Sequence, residues 1–249
     1  MKLNSCSDIR KYFIGELEDE CFTIDRFGQK TIELMPASFI ADDEAIFGTP
    51  NKQYIEEEIL WYESKSTNIA DIKGTIADAP QAWQMTANIH GEINSNYGQL
   101  VFSSKYHNQF NRALTELIHN PDSRRAQMVY NRPSIWVEYD EYGKNDFICT
   151  NAQTFYIRDG RLDMIVQMRS NDVWAGYRND RAWAEYLQLK MLKELQNRMI
   201  DVEQGFIFWQ VMNLHVYSRN FWMVDAYGKH GRNMTKKEYT ELNPDSKYL

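Results

Sequence analysis

Residues 147–172 read FICTNAQTFYIRDGRLDMIVQMRSND, from Phe147 to Asp172. Two runs rich in aromatic and β-branched residues flank Asp159-Gly160. That pair suits a two-residue hairpin turn, whose central residues both take positive φ. The spacing predicts strands over 147–158 and 161–169. By the period of two, Cys149, Asn151, Gln153, Phe155 and Ile157 share one face of the first arm. The hairpin and the turn after it bring a thiol (Cys149), a guanidinium (Arg169) and a carboxylate (Asp180) toward one another. A nearby cation lowers a thiol pKa, so this trio is a means of holding a small anion against a nucleophile. The bland alternative is that Cys149 is a small strand hydrophobe. No histidine adjoins it, so a Cys–His dyad has no local support.

Outward from the hairpin, helices are predicted over 7–19 (capped by Ser7), 50–64 (opened by Thr49-Pro50), 106–118 and 180–199, and over 219–227, closed by Gly228. Strands are predicted over 21–25 and 30–40, around the turn Asp25-Arg26-Phe27-Gly28, and over 126–130, 134–139 and 206–217. Residues 65–100 read as irregular, with one short helix around Trp83. The polar last fifteen residues are expected to be mobile. Strand runs mixed with segregated helices indicate an α+β fold. Without a repeat or linker, residues 1–249 read as a single domain.

The 249 residues, 43% of them hydrophobic, are enough for one substantial core. A net charge of −7 argues against a general nucleic-acid binder. It leaves room for a small anion held by a few arginines. The three cysteines have no metal-ligand spacing and suit a reducing compartment. No apolar run approaches the roughly 20 residues that span a bilayer. The start of the chain lacks a signal-peptide core. A soluble cytoplasmic protein without a metal and without a membrane partner is the expectation.

Glu58 sits three residues after Ile55 and four before Tyr62, on the inward face of its helix. A carboxylate there is either paired with a cation or functional, because desolvating it alone costs several kcal/mol. Asn120-Pro121-Asp122-Ser123-Arg124-Arg125 offers two guanidinium forks at a helix–strand junction. Adjacent side chains in extended backbone diverge, so both reach one phosphate only with help from the loop or a second subunit. Asn179 or Asp180 is a natural helix N-cap. Alternatively the Asp180 carboxylate accepts hydrogen bonds from a ring amino group. His215 and Tyr217 lie on one side of a strand and could grip a sugar hydroxyl, although a lone strand histidine is more often a satisfied core residue. Asp42-Asp43-Glu44 reads as a solvated strand end.

Glu58-Ile59-Leu60-Trp61-Tyr62, Tyr97-Gly98, Asp122 to Arg125, Arg169-Ser170-Asn171-Asp172-Val173 and His215-Val216-Tyr217-Ser218 occur in one order. Together they resemble the thymidylate synthase family across almost the whole chain. Two departures narrow the resemblance. That family reads Pro-Cys-His at its nucleophile where this chain has Ile148-Cys149-Thr150, and asparagine where this chain has Asp180. The second departure, with Gly91 to Gly98, resembles the branch that hydroxymethylates deoxycytidylate (dCMP) in T-even-like bacteriophages.

The resemblance implies a thymidylate synthase-like fold, a large mixed sheet with flanking helices in a sheet-to-sheet homodimer with shared active sites. It implies Cys149 as nucleophile, Glu58 as the acid/base that holds water, and Asp180 as reader of cytosine. Arg26, Arg169 and Ser170 would bind the 5′-phosphate, with Arg124 and Arg125 reaching in across the dimer. Asn171, His215, Tyr217 and Tyr97 would contact the nucleotide. Trp83 and Asp172 would line the site of 5,10-methylenetetrahydrofolate, the cosubstrate. The setting implied is a host cell's cytoplasm, beside other nucleotide-synthesis enzymes. Methylation of dCMP or dUMP on the same scaffold, and a silent nucleotide-binding scaffold, are the alternatives.

Overall fold

The computed structural model describes residues 4–249. Along the chain they form α1 (Cys6–Glu18), β1 (Thr23–Ile24), β2 (Lys30–Leu34), β3 (Ala37–Ile40), α2 (Lys52–Ser64), α3 (Ala70–Lys73), α4 (Gln81–Gln84), α5 (Tyr97–Phe102), α6 (Gln109–His119), β4 (Gln127–Val129), α7 (Ile135–Glu138), β5 (Thr150–Arg158), β6 (Arg161–Met168), β7 (Asn171–Asp172), α8 (Ala175–Gln196), β8 (Glu203–Val211), β9 (Leu214–Tyr217), α9 (Phe221–His230) and α10 (Lys236–Leu242). The chain divides into two compact units. One comprises the residues through Pro50, Met168–Glu185 and Phe206–Leu249; the other comprises Asn51–Gln167 and Tyr186–Gly205.

The first unit is built on a mixed sheet of order β1-β2-β9-β7. β9 runs antiparallel to β2 and parallel to β7. Its register sets His215 between Glu33 on one side and Asp172 on the other. β3 pairs with β8, Phe39 opposite Trp209. Ile9, Phe13 and Leu17 of α1 are buried, and Phe13 meets Phe47 edge-on at 6.4 Å. Gly228 of α9 lets Ile14 approach closely.

In the second unit β5 lies between β4 and β6. The predicted hairpin turn is there, with φ of 49° at Asp159 and 72° at Gly160. Phe110, Ala113, Leu114 and Leu117 form the buried stripe of α6, as their 3.6-residue period requires. Each of its buried phenylalanine and leucine side chains contributes about 2 kcal/mol.

Several boundaries differ from expectation, each for a local physical reason. Ser5, not Ser7, caps α1, because Asp8 completes a capping box with it. Asn51, not Thr49, caps α2, its side chain accepting from the Tyr54 amide. The run 30–40 is broken at Met35-Pro36 into β2 and β3, since proline cannot donate to a ladder. Residues 135–138 are helical, not a strand; the Glu138 and Tyr139 amides bond four residues back. The run 206–217 is two strands in different sheets, parted at Met212-Asn213. Residues 65–100 hold α3 and α5 besides the helix at Trp83. α9 continues through Gly228 and stops at Gly231, which takes the left-handed cap. The last fifteen residues are not loose. They form α10, whose Tyr239 is fully buried and hydrogen-bonded to Asp225. Leucine and tyrosine at helical spacing were outweighed in the reading by the polar composition around them.

Candidate active site

In the second unit Glu58 projects from α2 and is 5% exposed. Tyr54, one turn earlier, donates its hydroxyl to Glu58 Oε1 at 2.5 Å. Trp83 Nε1 donates to the same oxygen at 3.2 Å and to Tyr54 Oη at 3.0 Å. Among the described residues no cation pairs with Glu58, so the salt-bridge alternative fails. Burial pushes its carboxyl up to about 7, against the pull of the two hydrogen bonds. A group poised there can both take and give a proton near neutrality.

The α2 helix is held by α5. A Cβ on Gly98 would stand 1.7 Å from the Tyr62 carbonyl oxygen, so only glycine permits this approach. Tyr97 stacks on Tyr62 at 5.4 Å, and its hydroxyl accepts from Thr150 Oγ1 at 3.1 Å. Cys149 is therefore adjacent to a residue tied to Tyr97. It lies one residue before β5 begins, not inside the strand as expected, and it is half-buried and in no disulfide. Its Sγ is 3.8 Å from the Phe147 carbonyl, and the Phe147 ring meets Trp136 at 5.1 Å.

Arg124 and Arg125 are exposed. With Glu116, His119 and Ser123 they line an open recess of about 550 Å³. Arg125 Nη2 lies 2.9 Å from Glu116 Oε1, which Ser123 also donates to at 2.6 Å. The Ser123 and Arg125 bonds hold the Glu116 carboxyl below the usual range.

In the first unit Asp180 is not a helix cap. It lies within α8, which starts at Ala175, and the carboxylate at the head of that helix is Asp172. Asp172 Oδ1 accepts from the Trp174 and Ala175 amides at 2.8 and 2.7 Å. Its Oδ2 is buried without a hydrogen-bond partner among the described residues. Asn171 donates to Asp180 Oδ2 at 2.8 Å and accepts from Trp209 Nε1 at 3.3 Å. Arg169 and Ser170, half-buried, immediately precede this pair.

His215 Nδ1 lies 3.1 Å from Asn213 Oδ1. The amide of Asn213 is oriented by donating to Glu33 at 2.8 Å, so its oxygen faces the ring and His215 carries its proton on Nδ1. Nε2 is left as an acceptor suited to a hydroxyl. Tyr217 meets the imidazole edge-on at 4.9 Å. Arg26 is exposed in the β1–β2 turn, its guanidinium 4.7 Å over the Phe27 ring.

Tyr54, Glu116 and Asn213 escaped the sequence reading. Tyr54 had a usable signal, four residues before Glu58 on one helix face, and Asn213 lies two residues before His215. Glu116 had none, since its partners come from a later loop. Among the described residues no group of three or more His, Cys, Asp or Glu is placed to hold a metal ion. Among the same residues no helix is long and apolar enough to cross a membrane.

The thymidylate synthase family model matches residues 48–244. The chain is 43% identical over 235 residues to the deoxycytidylate 5-hydroxymethyltransferases of Enterobacteria phages T4, T6 and T2. These alignments span 93% of this chain and 94% of each relative. With a family match over most of its length, an inward glutamate and a cysteine at the mouth of a hairpin, the chain belongs to the thymidylate synthase family.

Proposed function

We propose that the chain is a deoxycytidylate 5-hydroxymethyltransferase, converting dCMP to 5-hydroxymethyl-dCMP. The observation that carries this reading is the near full-length, 43% identity to three proteins of that name. Cys149, as thiolate, adds to C6 of the cytosine ring and makes C5 nucleophilic. It leaves again when the product forms. Glu58 holds the water that becomes the new hydroxyl and carries its proton. Asp180 accepts from the cytosine amino group, which a uracil carbonyl cannot offer. His215 Nε2 and Tyr217 hold the sugar hydroxyl; Arg26, Arg169 and Ser170 hold the phosphate.

When bound, 5,10-methylenetetrahydrofolate supplies the one-carbon unit. The residues suit it: Asp172 Oδ2 is a buried acceptor in want of a donor, and Trp83 is a half-buried aromatic surface. The enzyme works as a homodimer in which Arg124 and Arg125 serve the neighbouring site. Their exposure supports that arrangement. Such an enzyme acts in the cytoplasm of an infected host.

Mass spectrometry of the nucleotide formed from dCMP and methylenetetrahydrofolate tests the proposal. The expected product is 5-hydroxymethyl-dCMP without dihydrofolate. 5-Methyl-dCMP with dihydrofolate, or unchanged dCMP, overturns it.

A further inference from the structure

We propose that Tyr54 is a positioning residue for Glu58: with the Trp83 indole it pins Oε1, so that Oε2 is the oxygen that handles the proton of the reacting water. This rests on the hydroxymethyltransferase reading and assigns a role inside it.

The direction of each hydrogen bond follows from the donors present. Trp83 Nε1 can only donate, and it reaches Tyr54 Oη at 3.0 Å and Glu58 Oε1 at 3.2 Å. The Tyr54 hydroxyl has one proton, and it points to Oε1 at 2.5 Å. Oε1 thus accepts from two neutral donors. A proton arriving on the carboxyl has no place among them and resides on Oε2. The cluster therefore separates the two oxygens into an anchored one and a working one.

The anchor is built before any substrate arrives. Tyr54 and Glu58 are one helical turn apart, so their pairing is set by α2 itself. Tyr54 is held in the first turn, because Asn51 caps the helix by accepting its amide at 3.1 Å. The groups that bear on the charge of Glu58 are Tyr54 from α2 and Trp83 from α4. Among the described residues no charged side chain adds to them, so removing one neutral donor changes the balance appreciably.

The decisive variant is Tyr54→Phe, which keeps the ring and removes the donor. A bond to a charged acceptor is worth about 10- to 100-fold. We expect kcat for dCMP hydroxymethylation to fall by that factor, with KM for dCMP within about twofold. The acid limb of the kcat–pH profile should move upward, since the ionised carboxyl loses a donor. Difference infrared spectroscopy gives a substrate-free readout. The carboxyl band lost in Glu58→Gln should titrate at higher pH in Tyr54→Phe than in the unaltered protein. Trp83→Phe, at a half-buried position, should shift the same band in the same direction, and it serves if Tyr54→Phe folds poorly. An unchanged band position and acid limb in both variants overturns the inference. If the unaltered protein makes no 5-hydroxymethyl-dCMP, the function fails instead, and the infrared titration still decides the role of Tyr54.

Discussion

Asn171 Nδ2 lies 2.8 Å from Asp180 Oδ2. The other end of the same amide accepts from Trp209 at 3.3 Å. Asn171 is 4% exposed, so the amide cannot exchange these partners for water. Asp180 is thereby held as an acceptor by a residue nine positions earlier. A site built to hydrogen-bond one ring edge rejects the wrong edge by about 10⁴. Asp180→Asn should move the dCMP:dUMP ratio of kcat/KM toward dUMP by orders of magnitude. Asn171→Ala should lower dCMP turnover by about 10- to 100-fold without raising that for dUMP. Steady-state kinetics with both nucleotides measures this; an unaltered ratio in Asp180→Asn removes the specificity assignment.

Cys149 is half-buried, in no disulfide, and one residue before β5. Serine keeps its size and loses the easily formed thiolate. Cys149→Ser should abolish turnover while calorimetry still detects dCMP binding. A variant with near-normal rates would rule out the covalent route.

Glu58 has its carboxyl raised from 4.5 to about 7 in the folded protein. Between those values the folded state keeps a proton that the unfolded chain has released. Stability therefore falls as pH rises through that window. Glu58→Gln stays neutral and keeps an oxygen for Tyr54 and Trp83. It should be inactive, yet more stable than the unaltered protein above about pH 7, by on the order of 3 kcal/mol. Below pH 4.5 the two should match. Denaturant melts at both ends of the window decide it, and equal stability at alkaline pH would contradict the assignment.

Gly98 faces the backbone of α2, where a Cβ would stand 1.7 Å from the Tyr62 oxygen. Backbone cannot step aside as a flexible side chain can. Gly98→Ala should destabilise the protein by about 3 kcal/mol or more and displace the helix that carries Glu58. Thermal melts and dCMP turnover should fall together. A variant as stable as its parent would show that this contact is slack.

Local features were legible in the chain. Asp159-Gly160 specified its turn through the positive φ that both residues tolerate. The stripe Phe110, Ala113, Leu114, Leu117 specified the buried face of α6. Ile55 and Tyr62 around Glu58 placed that carboxylate inward. Residues 134–139 were misread because their alternating pattern lacked what a strand needs, a partner edge; Trp136 and Val137 are instead exposed on α7. Asp180 was read most simply as a cap because nothing in the chain announces that α8 starts five residues earlier.

By itself the sequence determined the hairpin, the inward glutamate and the family to which the chain belongs. The hairpin and the inward glutamate depend on steric preferences and periodicities that act over a few residues; the family rests on matching motifs in one order along the chain. Only the tertiary structure decided that Trp83, 25 residues along, meets Glu58. It also decided that Arg125 rests on Glu116, and that a polar tail is ordered around Tyr239. Such pairings depend on which distant groups are desolvated together, and no local pattern records that choice.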